Sequence, residues 1–237
     1  MSLWKWAFLE TISFHIMQLY QLYIIYNGGI LSDSDKQNIK KYLIVSMLGG
    51  VFGTHGDRVL TTLQKAFRDK NDYSHFDFDW IKTLTIDNEL PYILSDERIE
   101  GLFKGNQKNA ITYIVLMMLN PNLKLNQIKF DQDHIHPYAG FSRAEFTTLN
   151  LIDEQIKKWK ADRNKLPNLE LLKDTENRSK KDKPFKEWLD DNIKNPAEQQ
   201  VFKQTHLIPD VDLSLANFEN FYEERKKLMI NQLKTMI

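Results

Sequence analysis

Apolar positions in the first 120 residues recur every three to four residues, which is typical of helices with one buried face. Four segments show this spacing most clearly: 35–48, 57–70, 96–103 and 108–119. Ser32 or Ser34 can cap the first of them, and Gly49-Gly50 would end it. Asn120-Pro121-Asn122 breaks the pattern. We therefore predict a helical region over residues 1–121.

The pattern then changes to one that predicts strands. Residues 125–130 alternate apolar and polar side chains, as a half-buried strand does, and the segment continues into Asp133 and His134. Residues 146–159 are predicted to form a helical insertion with Leu149, Ile152, Ile156 and Trp159 on one side, and residues 168–172 a second strand. Asp174 can cap a short helix that carries Asn177. The order is β-β-α within residues 122–193, so the fold class is mostly α (α+β).

A last helix is predicted from about residue 215, within a C-terminal tail of 194–237 that packs on the rest. Six residues share one face of this helix: Phe218, Phe221, Tyr222, Arg225, Leu228 and Met229. Arg225 is the charged member of the stripe. A rim position with a packed stem is one interpretation, and a phosphate contact is the other.

Composition narrows the possible classes of protein. An apolar fraction of 42% in 237 residues is enough for a packed core. The absence of cysteine excludes disulfides and thiolate zinc sites and is compatible with the cytoplasm. Net charge is zero, so a nucleic-acid surface would have to be local. The apolar segment 4–26 is interrupted by polar residues, including Ser13 and Gln18, which favours a buried helix over a membrane span.

The clearest candidate for chemistry is the pair Asp133-His134 at the end of the first predicted strand. The order β-β-α can hold one divalent ion between Asp133 and Asn177 on the short helix. Mg²⁺ prefers oxygen ligands and commonly binds through one or two carboxylates, water and substrate phosphate. Such an ion stabilises negative charge that develops on a phosphodiester. Mn²⁺ would serve the same role.

His134 follows Asp133 directly, so in an extended segment its side chain points to the opposite side of the strand. It would face an attacking water rather than the ion. An imidazole with an ordinary pKa of about 6.5 is largely neutral near pH 7 and can accept the proton of that water. An acceptor must hold one ring nitrogen to fix the tautomer, and the sequence does not identify it. A zinc site built from His134 and His136 lacks a third ligand and is the weaker alternative.

Taken together, Asp-His-Ile-x-Pro from Asp133, then Asn168, then Asn177-Arg178-Ser179-Lys180 resemble an HNH (ββα-metal) endonuclease in its His-Asn-Asn form. The similarity is strongest to the C-terminal nuclease region of GmrSD-like modification-dependent restriction endonucleases. The run Asn168-Leu169-x-Leu171-Leu172 and the tail sequence His206-Leu207-Ile208-Pro209 also resemble that region. The separation of His134 from Asn168 is long for a minimal HNH domain, so the inserted helix must fold away from the site.

The resemblance implies a metal-dependent endonuclease that hydrolyses DNA, in a cytoplasmic restriction or defence system. It implies that Asp133 and Asn177 bind Mg²⁺ or Mn²⁺, that His134 is the general base, and that Asn168 braces the loop positioning His134. Larger members of this family carry an N-terminal nucleotide-dependent domain, to which nothing here is similar. We therefore expect a fragment or short homologue that acts with such a domain or with a partner subunit.

Residues 157–186 contain eleven basic and five acidic side chains, an excess that surrounds Asn177. A solvated face and a groove for the phosphate backbone are both compatible with this excess. If the groove forms, the predicted phosphate contacts are Arg178, Lys180, Lys181 and Lys183. An alternative to catalysis is a nucleic-acid-binding or assembly module that keeps an HNH-like fold.

Overall fold

The structure is a computed structural model that describes residues 31–53, 56–72, 74–120 and 130–237. The described chain is mostly helical and has one two-stranded antiparallel sheet, which confirms the predicted mostly α fold class. None of the helices in these ranges is both long enough and apolar enough to cross a membrane. The apolar segment 4–26 lies outside the described residues.

The chain divides into two compact units, one comprising residues 1–99 with 236–237 and the other residues 100–235. The division falls inside a helix, between Ile99 and Glu100, rather than near residue 121 as the sequence suggests. The helix that ends at Leu119 therefore belongs with the second unit. The reason is that this helix packs against the C-terminal helix and the second strand.

The described part of the first unit consists of helices around an aromatic core. Its helices are α1 (Asp33–Leu48), α2 (Gly56–Lys70), α3 (Phe78–Lys82) and the start of α4 (Asp96–Leu102). Ser32 caps α1 as predicted, and the Asp35 carboxylate accepts hydrogen bonds from both the Ser32 backbone and the Phe76 N–H. The rings of Tyr42, Phe76 and Phe78 meet edge to face beneath it.

The second unit holds the sheet and the helices that cover it. Its helices after α4 are α5 (Ala110–Leu119), α6 (Arg143–Thr148), α7 (Asp153–Asp162), α8 (Asp174–Lys180), α9 (Phe185–Asn192), α10 (Pro196–Thr205) and α11 (Phe218–Lys234). Its strands are β1 (Phe130–His134) and β2 (Leu169–Lys173). The predicted strand at 125–130 falls almost wholly outside the described residues, and β1 begins at its last residue.

The core of the second unit is aromatic and lies against α11. Phe218 and Phe221 of α11 are buried, and Phe218 meets the rings of Phe141 and Trp159. Burying aromatic rings of this size contributes most of the apolar area that holds such a unit together. The predicted stripe on α11 is confirmed except at Leu228, which is exposed.

The inserted segment is not one helix, as its spacing suggests, but two. Asn150 has a left-handed φ of 53°, which ends α6 and turns the chain before α7. Ile152 becomes the residue before α7, is 63% exposed, and donates its N–H to the side chain of Gln155. The prediction that Ile152 packs with Leu149 and Ile156 in one helix is therefore wrong.

Candidate functional site

The β-β-α unit predicted from the sequence is present. β1 and β2 pair antiparallel, with Phe130 opposite Lys173 and His134 opposite Leu169. α8 follows β2 without an intervening loop and packs on both strands. α8 begins beside the Phe130 end of β1, where β2 ends, and its last residue, Lys180, contacts Asp133 and His134 at the other end of β1.

Asn168 joins the two sides of the site. It is fully buried, and its Oδ1 accepts the His136 N–H at 2.9 Å. Its Nδ2 donates to the carbonyl of His136 at 3.0 Å and to that of Arg163 at 2.8 Å. The backbone carbonyl of Asn168 also accepts the Ile135 N–H at 2.8 Å. Asn168 therefore fixes residues 135–136, immediately after His134.

His134 lies at the end of β1 with 9% of its surface exposed. Its Nε2 is 2.9 Å from Oδ1 of Asn164, which supplies the acceptor that the sequence could not identify. An amide oxygen can only accept, so Nε2 carries the proton and Nδ1 is left as the basic nitrogen. Burial lowers the pKa of His134 from its ordinary value, against the opposing effects of Asn164 and Asp133. The imidazole is therefore neutral at pH 7.

Asp133 is engaged by a buried lysine. The Nζ of Lys180 lies 2.6 Å from Oδ2 of Asp133 and 2.9 Å from Oε1 of Glu170, and it also donates to the main-chain carbonyl of His134. Lys180 has no exposed side-chain surface, whereas the Asp133 side chain remains 20% exposed. The Lys180 ammonium thus holds Oδ2 of Asp133, while part of the Asp133 side chain still reaches the surface.

Lys180 was predicted as a phosphate contact, and this prediction is wrong. An ammonium that is fully buried and bonded to three oxygens cannot reach the backbone of a nucleic acid. Residues three apart on a helix share a face, so Lys180 lies on the same side of α8 as Asn177.

Glu170 connects this lysine to a buried histidine. Glu170 is 1% exposed, and its Oε2 lies 3.5 Å from Nδ1 of His206. Burial alone would raise the pKa of the Glu170 carboxyl, but the nearby positive charges of Lys180 and Arg225, together with His206, outweigh it and lower the pKa. Glu170 is therefore ionised and balances the buried charge of Lys180.

Arg225 is not the rim residue that its place in an apolar stripe suggests. It is 1% exposed, and its NH1 donates to the carbonyls of Pro167 at 2.7 Å and Leu169 at 2.8 Å. Its NH2 donates to the carbonyl of His206 at 3.0 Å. Burial lowers the pKa of Arg225 to about 10, so it stays charged at pH 7. Arg225 fixes the backbone on either side of Asn168.

The site offers oxygen ligands for a divalent ion, but only one of them, the Asp133 carboxylate, is negatively charged. In the described ranges, no group of three or more His, Asp or Glu side chains is arranged to hold a metal. Asp133 offers its second carboxylate oxygen, and Asn177 lies partly exposed on α8. One carboxylate and one amide, completed by water and phosphate oxygens, is a donor set that suits Mg²⁺ or Mn²⁺. These two residues would hold the ion.

The remaining predicted phosphate contacts are on the surface. Arg178, Lys181 and Lys183 are exposed, and Lys183 forms an ion pair with Asp191 at 3.1 Å. A surface pair of this kind is weak and exchanges readily for a phosphate oxygen. These three exposed side chains can therefore form a basic surface near Asn177.

Sequence reasoning missed Asn164, Glu170 and the inward roles of Lys180 and Arg225. Asn164 gave no signal, because an asparagine in a loop between charged residues is ordinary. Glu170 stood in an apolar run, Leu169 to Leu172, where a buried carboxylate demands a buried cation. That demand could have indicated a partner, although not which of the many basic residues supplies it.

The resemblance to HNH endonucleases rests on the residues described above and on their order along the chain. No protein-family model matches this chain, and no curated protein matches it.

Proposed function

We propose that residues 130–180 form the site of a divalent-metal-dependent endonuclease of the HNH type, which hydrolyses phosphodiester bonds of DNA. The single observation that carries the proposal is the arrangement around His134 at the end of a β-β-α unit. The ring is held by Asn164 on one nitrogen, and the segment after it is held by Asn168. A histidine that only fills space does not need both supports.

The chemistry assigned to each side chain follows from these contacts. Oδ1 of Asn164 accepts a hydrogen bond from the Nε2–H of His134, so Nδ1 of His134 can take the proton of an attacking water. Asp133 and Asn177 would hold the metal ion, which when bound stabilises negative charge on the phosphate and the leaving oxygen. Asn168 keeps His134 in place without touching the substrate. Arg178, Lys181 and Lys183 would contact phosphates and orient the strand without reading its sequence.

A plasmid-nicking assay tests the proposal. The protein is incubated with supercoiled DNA and either Mg²⁺ or Mn²⁺, with and without chelator. Substitution His134→Ala is expected to lower the nicking rate roughly 100- to 10,000-fold, as expected for a lost general base. His75→Ala is the matched control, because the side chain of His75 is 71% exposed and belongs to the first unit. Nicking that survives His134→Ala, or that ignores the chelator, refutes the assignment.

We further propose that this activity serves defence against foreign or modified DNA in the cytoplasm, as the similarity to modification-dependent restriction endonucleases suggests. The same assay distinguishes this role when plasmids with ordinary and hydroxymethylated cytosine are compared. A preference for the modified plasmid supports a restriction role. Equal cleavage of both plasmids, or a preference for RNA, contradicts it. Addition of nucleoside triphosphates tests whether a nucleotide-dependent partner is needed.

A second candidate function is a non-catalytic nucleic-acid-binding or assembly module. The observation that favours it is the ion pair between Asp133 and Lys180, which satisfies the carboxylate without any metal. Such a module would bind DNA in a salt-sensitive way through the exposed basic side chains of α8 and the turn that follows it. Binding without nicking under any divalent cation would favour the module over the enzyme.

A further inference from the structure

The three-way contact of the Lys180 ammonium is unexplained by the roles given above. We propose that Lys180 is a positioning residue of the cleavage site, whose ammonium sets the orientation of the Asp133 carboxylate and of the backbone at His134. This inference rests on the proposed endonuclease function. It replaces the phosphate contact that the sequence suggests for Lys180 with an internal role.

The donors and acceptors match in number. An ammonium has three N–H donors, and Lys180 has three acceptors: Oδ2 of Asp133, Oε1 of Glu170 and the carbonyl of His134. The acceptors come from two strands, while Lys180 ends the helix that follows them. One side chain thereby ties together all three elements of the β-β-α unit.

Two of the three acceptors belong to the residues that carry the proposed chemistry. The bond to Oδ2 fixes the rotation of the Asp133 carboxylate, whose side chain is still 20% exposed. The bond to the His134 carbonyl fixes the peptide plane from which the imidazole projects. A shift of about 1 Å in either group is enough to slow a positioned reaction strongly.

The position of Lys180 also has a cost for metal binding, and this cost makes the proposal testable. A positive charge 2.6 Å from a carboxylate oxygen weakens the attraction of that carboxylate for a divalent cation. Lys180 therefore orients Asp133 at the expense of affinity for the ion. If Lys180 only neutralised Glu170, removing both charges together would change neither kcat nor the affinity of the site for the ion.

The experiment uses the full chain with two substitutions made together, Lys180→Met and Glu170→Gln. The single substitution Lys180→Met leaves the buried Glu170 carboxylate without its ammonium and can prevent folding, whereas the double variant removes both members of that ion pair. Circular dichroism confirms the fold of the double variant. Nicking kinetics then give kcat and KM for DNA, and electron paramagnetic resonance of free Mn²⁺ gives the affinity for the ion directly.

For the double variant we expect kcat to fall at least tenfold, KM for DNA to stay within about twofold, and Mn²⁺ to bind roughly threefold tighter or more. Lys181→Gln, an exposed neighbour, serves for comparison. As a phosphate contact it should raise KM and leave kcat unchanged. Slower turnover with tighter ion binding is a combination that general loosening of the site cannot produce.

The outcomes separate the inference from the function beneath it. If the wild-type protein nicks DNA and the folded double variant keeps its kcat, or raises KM instead, the positioning role is refuted and the endonuclease stands. Weaker Mn²⁺ binding in the double variant refutes it as well. If the wild-type protein neither nicks DNA nor binds Mn²⁺, the endonuclease proposal fails, and the positioning role fails with it.

Discussion

The substitution Asn168→Asp tests the brace of the site with almost no change in shape. Asn168 is fully buried, and both atoms of its amide are used. Its Oδ1 accepts from the His136 N–H, and a carboxylate oxygen can do the same. Its Nδ2 donates to the carbonyls of His136 and Arg163, and a carboxylate cannot donate to either. The substitution therefore removes two donors and sets a negative charge against two carbonyl oxygens.

The expected cost follows from those two bonds. Each buried carbonyl left without a donor costs about 1 to 3 kcal/mol, so the pair contributes roughly 2 to 6 kcal/mol. Repulsion raises the pKa of the introduced carboxyl in the folded state above its unfolded value of about 3.9. The unfolded chain then loses its proton first as pH rises, so the cost grows above about pH 4 and is relieved below it. We expect about 3 to 5 kcal/mol at pH 7.

Hydrogen exchange on peptides that cover β2 measures this cost within the unit concerned, because their amides open with the strand pair. Asn195→Asp is the control. Asn195 caps α10 by accepting from the Ala197 N–H, and aspartate caps a helix about as well as asparagine. A cost below about 1 kcal/mol for Asn168→Asp, or one equal to that of the control, would refute the bracing role. So would a cost that did not shrink on acidification.

Three further predictions concern other buried polar groups. Arg225→Met removes three hydrogen bonds to main-chain carbonyls and should cost about 3 kcal/mol or more in urea unfolding. Burial lowers the pKa of His136 to about 3, so protonation of the unfolded chain should reduce stability by up to about 4 kcal/mol as pH falls from 6.5 toward 3, and His136→Phe should abolish that share. Asp35→Ala removes the acceptor for the Ser32 and Phe76 N–H groups, one half of the capping box of α1, and should cost about 2 to 4 kcal/mol, measured by hydrogen exchange in α1.

Two of these substitutions have a matched comparison within the chain. Lys227→Met on α11 should be nearly neutral, because its pair with Glu224 is exposed. Asp33→Ala is the matching exposed change for Asp35→Ala. An Arg225→Met variant as stable as Lys227→Met would contradict the anchoring role of the guanidinium. For His136, the argument from burial would be contradicted if His136→Phe and the wild-type protein lost the same free energy of unfolding between pH 6.5 and pH 4.5.

The elements that the sequence predicted well are those fixed by local chemistry. Ser32 and Gly49 bound α1 because capping involves only residues three or four apart. The strand that ends in Asp133-His134 and the helix that begins at Asp174 are likewise local patterns. The break at Asn150 was missed, although asparagine tolerates the left-handed conformation better than most residues. The break was missed because the apolar residues on both sides of Asn150 keep the spacing of a single helix.

The site was only partly predictable for a different reason. Asp133, His134 and Asn168 were chosen by order and residue type, and the structure links the two strand ends through Asn168. The partners Lys180 and Arg225 lie 47 and 56 residues from the atoms they hold, at Asp133 and Leu169 respectively. A basic side chain gives no local indication of whether it faces solvent or a carboxylate, so only the tertiary structure decides.

The buried charges of the second unit serve orientation more than stability. A pair of five-residue strands is marginal on its own, and apolar packing is non-directional, so packing alone cannot fix the rotation of a peptide plane. Three side chains instead donate hydrogen bonds to main-chain carbonyls. Asn168 donates to residues 136 and 163, and Lys180 donates to residue 134. Arg225 donates to residues 167, 169 and 206. Those segments flank His134 and Asn168. Because buried charges cost about as much to desolvate as they return, their concentration there suggests that the direction of this backbone matters for the chemistry proposed at His134.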